Sequence, residues 1–104
     1  MTPRISYPGA CVLQALLKGS RYGFDIMDFT GLPSGTVYPL LRRFEEHGLV
    51  RSKWENERKA FADGRPRRRN YELTAGGRTA LGAAVERFAL HRRLFEDEAT
   101  ENPS

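Results

Sequence analysis

The stretch TGLPSGTVYPLLRRFEEHGLV, Thr30 to Val50, decides the fold. It reads as a turn, a helix with one apolar and one polar face, and a Gly-Leu-Val exit into a strand. At roughly 100° per residue, Leu40, Leu41 and Phe44 fall within about 60° of Val37, and that stripe is core. Gly35, Pro39, Arg42 and Glu46 take the opposite side, with Thr36, Tyr38 and Arg43 on the flanks. Proline removes a helical donor and disfavours helix at the residue before it, so two readings stay open at Pro39. Either it starts the helix, or the helix starts near Pro33-Ser34 and bends slightly there. The second is preferred, because Val37 already keeps the register. Further on, Gly64-Arg65-Pro66-Arg67-Arg68-Arg69-Asn70-Tyr71 is a basic turn feeding a second strand. A helix offered outward beside a basic hairpin is the arrangement with which a winged helix-turn-helix grips duplex DNA.

The rest of the chain fits around this centre. Ser6 is a suitable N-cap for a first helix over Tyr7 to Lys18, with Pro8 in its first turn and Val12, Leu13, Leu16 and Leu17 at helical spacing. A second helix is predicted over Tyr22 to Phe29, burying Phe24 or Ile26-Met27. Leu49 to Glu55 alternates, placing Val50, Ser52 and Trp54 on the buried face of a strand. The second strand, Arg69 to Leu73, directs Tyr71 and Leu73 inward opposite Val50 and Trp54, which makes Trp54 and Tyr71 packing residues. Asp63-Gly64-Arg65-Pro66 is turn chemistry. Thr74 caps a final helix to about Phe95 despite Gly76, Gly77 and Gly82. The expected organisation is a winged helix-turn-helix over residues 1–74, a C-terminal dimerisation helix over 75–95 and a flexible acidic tail over 96–104. The fold class is mainly α with a small β-hairpin.

At 104 residues the chain is one small domain, and a partner subunit would add useful burial. The final helix supports this, because Leu81, Ala84, Val85, Phe88 and Phe95 form one apolar stripe while Ala83, Leu90 and Leu94 lie nearly opposite. One stripe serves the protomer and a second points to another subunit. The net charge of +4 is modest, but its distribution is not. Arg51, Lys53, Arg58, Lys59, Arg65, Arg67, Arg68 and Arg69 face only Glu55, Glu57 and Asp63 in the same span. The single Cys11 excludes an internal disulfide and reads as a small core residue. No apolar run reaches the length of a membrane span and no signal peptide is recognisable, so a cytoplasmic protein is expected. His47 and His91 lie on separate helices without a nucleophile-and-carboxylate set, which argues against an enzyme; no metal or cofactor is implied.

With these pieces in place, the chain resembles the PadR family of winged-helix transcriptional regulators, in particular its small members with a single C-terminal helix. The matching residues are Tyr22-Gly23-Phe24-Asp25-Ile26, Gly35-Thr36-Val37-Tyr38-Pro39-Leu40-Leu41-Arg42-Arg43, Gly48-Leu49-Val50, Trp54-Glu55, Gly64 to Arg69 and Tyr71-Glu72-Leu73-Thr74. The resemblance implies a homodimeric repressor of double-stranded DNA sites, dimerised through the C-terminal helix. It also implies that some members take aromatic or cationic effectors at the dimer interface through a tryptophan on that helix. This chain departs there, since its single tryptophan is Trp54.

The candidate DNA-binding residues are Ser34, Gly35, Thr36, Tyr38, Pro39, Arg42 and Arg43 on the helix and Arg65, Arg67 and Arg68 in the wing. Gly35 permits close backbone approach at a helix N-terminus, the hydroxyls suit phosphate or base edges, and an arginine fork matches guanine or phosphate. Plainer roles stand beside these: Tyr38 as packing, Arg43 paired with Glu45 or Glu46, Arg69 in a salt bridge. Three arginines in succession after Gly-Arg-Pro repel one another unless an anion lies nearby. The candidate dimer surface is Leu81, Ala84, Val85, Phe88, Leu90, His91, Leu94 and Phe95. A winged helix used only for protein–protein assembly is the rival reading.

Overall fold

A computed structural model describes residues 4–101, and side chains through residue 96. The chain order is α1 (Tyr7–Leu17), α2 (Gly23–Thr30), α3 (Ser34–Glu46), β1 (Val50–Trp54), α4 (Glu57–Ala62), β2 (Arg69–Leu73) and α5 (Ala75–Glu101). Ser6 caps α1 by accepting from the Gly9 amide at 3.1 Å. Asn56 caps α4 through the Arg58 amide at 2.8 Å. Thr74 caps α5, accepting from the Gly77 amide at 3.0 Å while its hydroxyl donates to the Gly48 carbonyl at 2.7 Å. That side chain joins the start of the last helix to the exit of α3. Gly31 and Gly48 take left-handed φ of 74° and 73° after α2 and α3, a conformation in which a Cβ is strained.

The helices meet on one core. Val12, Leu13 and Leu16 of α1, Ile26 of α2, and Val37, Leu41 and Phe44 of α3 are buried together with Leu49, Val50, Tyr71, Leu73, Leu81 and Ala84. Gly9 lets α1 approach α3, since a Cβ there would lie 2.9 Å from the end of the Phe44 ring. β1 and β2 form an antiparallel hairpin. It is tied back to the helices by a Tyr22–Asn70 bridge and by the Tyr71 amide, which donates to the Arg21 carbonyl at 2.7 Å. Burial pushes the Tyr71 phenol above its ordinary pKa.

Pro39 lies inside α3, which starts at Ser34. The carbonyl that loses its helical partner is that of Gly35, which is exposed, so its loss leaves no buried polar group. Of the two alternatives for α2 the structure takes Ile26-Met27: Ile26 is buried, Met27 packs partly buried against the core and Phe24 is 73% exposed. Other expectations are corrected. Tyr71 stands opposite Ser52, and Trp54 opposite Arg69 at the loop end of the hairpin, where Trp54 is more than half exposed. Cys11 is half-buried. The wing contains a helix, α4, where the sequence suggests only a turn. α5 continues to Glu101 instead of ending near Phe95, so the acidic stretch begins as helix, and residues 102–104 lie outside the described residues.

Candidate nucleic-acid interface

The amphipathic pattern of α3 turns its polar face outward. Ser34, Gly35, Tyr38, Pro39, Arg42 and Arg43 are exposed and Thr36 is half-buried. Among the described residues neither Arg42 nor Arg43 has an ion-pair partner, so both guanidiniums are free to meet an anion. Tyr38 combines both roles considered for it. It is 42% exposed, yet its ring lies so close over Gly23 that a Cβ there would stand 2.3 Å from the phenol oxygen. Gly23 therefore has a side-chain reason to be glycine. Beside Tyr38 a groove of about 320 Å³ runs between α2, α3 and the hairpin, lined by Tyr22, Phe24, Trp54, Arg67, Arg68 and Arg69 among others.

The wing is organised around one carboxylate. Glu55 is the single buried charged side chain among the described residues. Arg65 grips it with both terminal nitrogens, one at 2.7 Å, and also pairs with Asp63 at 3.1 Å. Arg68 adds its amide and one guanidinium nitrogen, each at 3.4 Å. The Arg65 hydrogen bond, first among these causes and opposed by burial, holds Glu55 down at about pKa 2. The same pairing raises Arg65. Arg67 donates from Nε to the Glu55 carbonyl at 3.0 Å, pairs with Glu57 at 3.4 Å and lies 5.6 Å from the centre of the Trp54 ring. Arg68 stacks over Tyr22 at 3.8 Å.

A second cluster joins α3 to the hairpin. Arg69 donates to both Glu45 oxygens, at 3.1 and 3.0 Å, and through Nε to the Ser52 hydroxyl at 2.8 Å, which itself donates to Glu45. Glu45 is thus occupied by Arg69 rather than by Arg43. These clusters revise the reading of the arginine run. Glu45, Glu55 and Glu57 already relieve its self-repulsion. Arg65, with a side chain only 24% exposed, is a strut that shapes the wing and not a group reaching for the minor groove. Arg67 and Arg68 keep 42% and 43% of their side chains exposed. Tyr22, Phe24 and Trp54 wall the groove as well, none of them a candidate from sequence. The Tyr22-Gly23-Phe24 run was a visible signal, but which side chain turned outward was not.

The other candidate surface lies along α5. Leu81 and Ala84, expected at a dimer contact, are buried in the protomer's own core and are unavailable to a partner. Val85, Leu90, Leu94 and Phe95 are each more than half exposed, His91 is exposed, and Phe88 is half-buried against Tyr7, their rings 5.6 Å apart edge to face. A cleft of about 750 Å³ between α1, α2 and α5 is walled by Tyr7, Cys11, Phe29, Val85, Phe88 and Phe95. Among the described residues no helix is long and apolar enough to cross a membrane, and no cluster of three His, Cys, Asp or Glu could hold a metal.

No curated protein matches the chain. Solved structures do. A PadR family transcription regulator from Clostridium difficile R20291 has 25% identity and a TM-score of 0.76, over 88% of this chain and 97% of that one. A PadR-like transcription factor from Bacteroides fragilis has 27% identity and a TM-score of 0.65, over 90% and 88%. The PcaV transcriptional regulator from Streptomyces coelicolor, solved with its natural ligand, shares the fold at 20% identity and a TM-score of 0.74, over 90% and 62%. A family model for the transcriptional regulator PadR-like family matches residues 12–83, from the middle of α1 through α2, α3 and the whole wing to the first turns of α5. The chain belongs to the PadR-like family of transcriptional regulators.

Proposed function

We propose that the chain is a sequence-specific repressor that binds double-stranded DNA as a homodimer. α3 enters the major groove with Ser34, Thr36, Tyr38, Arg42 and Arg43, and its glycine-opened N-terminus meets a phosphate. The wing lies along the adjacent backbone and minor groove, where Arg67 and Arg68 act. The carrying observation is the continuity of these two parts: Tyr38 of α3 and the half-exposed wing arginines Arg67 and Arg68 line one aromatic-walled groove, and Arg42 and Arg43 on the same helix are exposed and, among the described residues, without an ion-pair partner. In this division of labour residues 1–74 read DNA and α5 joins the subunits.

The dimer rests on surface chemistry. Tyr7 of α1, Phe29 of α2 and Val85, Leu90, Leu94 and Phe95 of α5 are large apolar side chains each more than half exposed, which a second subunit would cover. A twofold axis there sets two α3 helices in successive major grooves, which requires an inverted, pseudo-palindromic operator with half-sites about 10 base pairs, or a multiple, apart. The cleft beside α5 is a fitting place for a small effector at the subunit contact, and PcaV shows that this fold accommodates a ligand. Without a tryptophan on α5, aromatic stacking there falls to Phe88 and Phe95. The rival, a protein–protein assembly module, gives no role to exposed Arg42 and Arg43, which have no ion-pair partner among the described residues.

Selection of duplexes from a random pool by the purified protein, followed by gel shift at two salt concentrations, tests the reading. An inverted repeat and an affinity that falls steeply with salt are expected. Absence of any enriched site, or binding indifferent to salt, would favour the assembly module.

A further inference from the structure

One wing side chain serves neither the core nor the DNA surface described above. Phe61, on α4, is 87% exposed, the most of any large apolar residue among those described. Its neighbour Ala60 is 2% exposed and already fills the inward side of that helix, so Phe61 does not anchor α4. Phe61 borders a groove of about 500 Å³ with Arg58, Arg65 and Arg67. Arg67 also lines the aromatic groove beside Tyr38, so one surface runs from α3 to the wing tip. Across residues 57–67, Arg58, Lys59, Arg65 and Arg67 outnumber Glu57 and Asp63, and Arg67 already pairs with Glu57.

An apolar ring held among cations fits a partner that is anionic outside and apolar within. Duplex DNA is such a partner, with phosphates along the rim of its minor groove and sugar faces and base edges inside. We propose that Phe61 enters the minor groove flanking the α3 contact as an apolar wedge, partly unstacking one base step and bending the duplex toward the major groove. The proposal rests on the DNA-binding reading above. Arg58 and Lys59 hold the phosphates on either side. Pyrimidine–purine steps unstack most easily, so the wedge would select TA or CA at a position that no hydrogen bond reads.

The test uses the full chain and a duplex selected by it from a random pool, end-labelled with a fluorophore pair so that energy transfer reports bending. Phe61 supports no packing, so Phe61→Ala should fold as the wild type does. The wild type should bend its site. Phe61→Ala should bind about tenfold more weakly, as expected for loss of one buried ring partly offset by recovered stacking, and lose most of the bend. Phe61→Leu, still able to wedge, should keep it. An unchanged bend with Phe61→Ala overturns the wedge, whether or not affinity falls, and so does a wild-type complex that stays straight. Failure of the wild type to bind any duplex overturns the DNA-binding reading itself, which separates the two.

Discussion

Gly77→Ala should destabilise this protein even though it places a better helix former inside α5. In an exposed helix interior the exchange is worth about 1 kcal/mol in favour of alanine. Here the new Cβ would lie 2.1 Å from the Leu49 carbonyl oxygen and 2.6 Å from Leu73 Cδ1, whereas ordinary contact begins near 3.4 Å. The obstacle is backbone in the link between α3 and β1, so it cannot rotate away, and α5 has to retreat by well over an ångström. That retreat pulls on the Thr74–Leu49 and Thr74–Gly48 hydrogen bonds, 3.1 and 2.7 Å long. Overpacking costs about 1–3 kcal/mol, and weakening those bonds adds about 1 kcal/mol. Against the helix gain the net is a loss of roughly 1–3 kcal/mol, or a fall of about 5–15 °C in Tm for a chain of this size. Gly82→Ala is the internal control, because no atom lies within 4 Å of its added Cβ. It should raise Tm by a few degrees, following the helix propensity of about 1 kcal/mol. Thermal unfolding of both variants at one fixed protein concentration decides the matter, since subunit association makes Tm concentration-dependent. If Gly77→Ala melts at or above the wild type, the argument from close approach fails.

Other consequences are as direct. Arg42→Ala should weaken operator binding by about 1–3 kcal/mol and random-DNA binding far less, whereas Arg67→Ala should weaken both alike and flatten the salt dependence. Equal losses on both DNAs for both variants, in titrations at matched salt, would remove that division. The pair Leu90→Lys and Leu94→Lys should shift sedimentation toward the monomer and reduce operator affinity with little change in protomer helicity; an unchanged mass would place the subunit contact elsewhere. Because Glu55 is held near pKa 2, below its ordinary value of 4.5, its contribution to stability is present above about pH 4.5 and fades as pH falls toward 2. Glu55→Gln should lower Tm at neutral pH and shrink the difference from wild type as the solution is acidified through that window. A difference that grows on acidification would contradict the assigned ion pair.

Much of the architecture was legible because helical spacing and capping are local. Ser6, Thr74, Gly31 and Gly48 mark ends that the fold uses, and Val37, Leu41 and Phe44 keep their stripe through Pro39. Period-2 alternation served less well. It sorted Val50 and Ser52, then failed at Trp54, because the hairpin outruns the helices beneath it and the ring there meets the Arg67 and Arg69 side chains instead of the core. α4 escaped notice because a six-residue helix leaves little periodic signal, and Asp63-Gly64 beside it announced a turn. On α5 the two apolar stripes were visible as a pattern, but the division between core and open surface runs along the helix as well as around it. Leu81 and Ala84 are buried, Val85 beside them turns to the exposed side, and Leu90, Leu94 and Phe95 are exposed farther along.

The amino-acid order by itself determined the helix carrying Ser34 to Glu46, the basic character of the wing and the apolar excess of the last helix, since each depends on neighbours a few positions away. Only the tertiary structure decided which arginines are spent. Arg65 and Arg69 close on Glu55 and Glu45, partners ten and twenty-four positions distant, while Arg42 and Arg43 stay unpaired among the described residues. An ion pair is made by whichever charges the fold brings within a few ångströms, and that separation is a property of the packed chain.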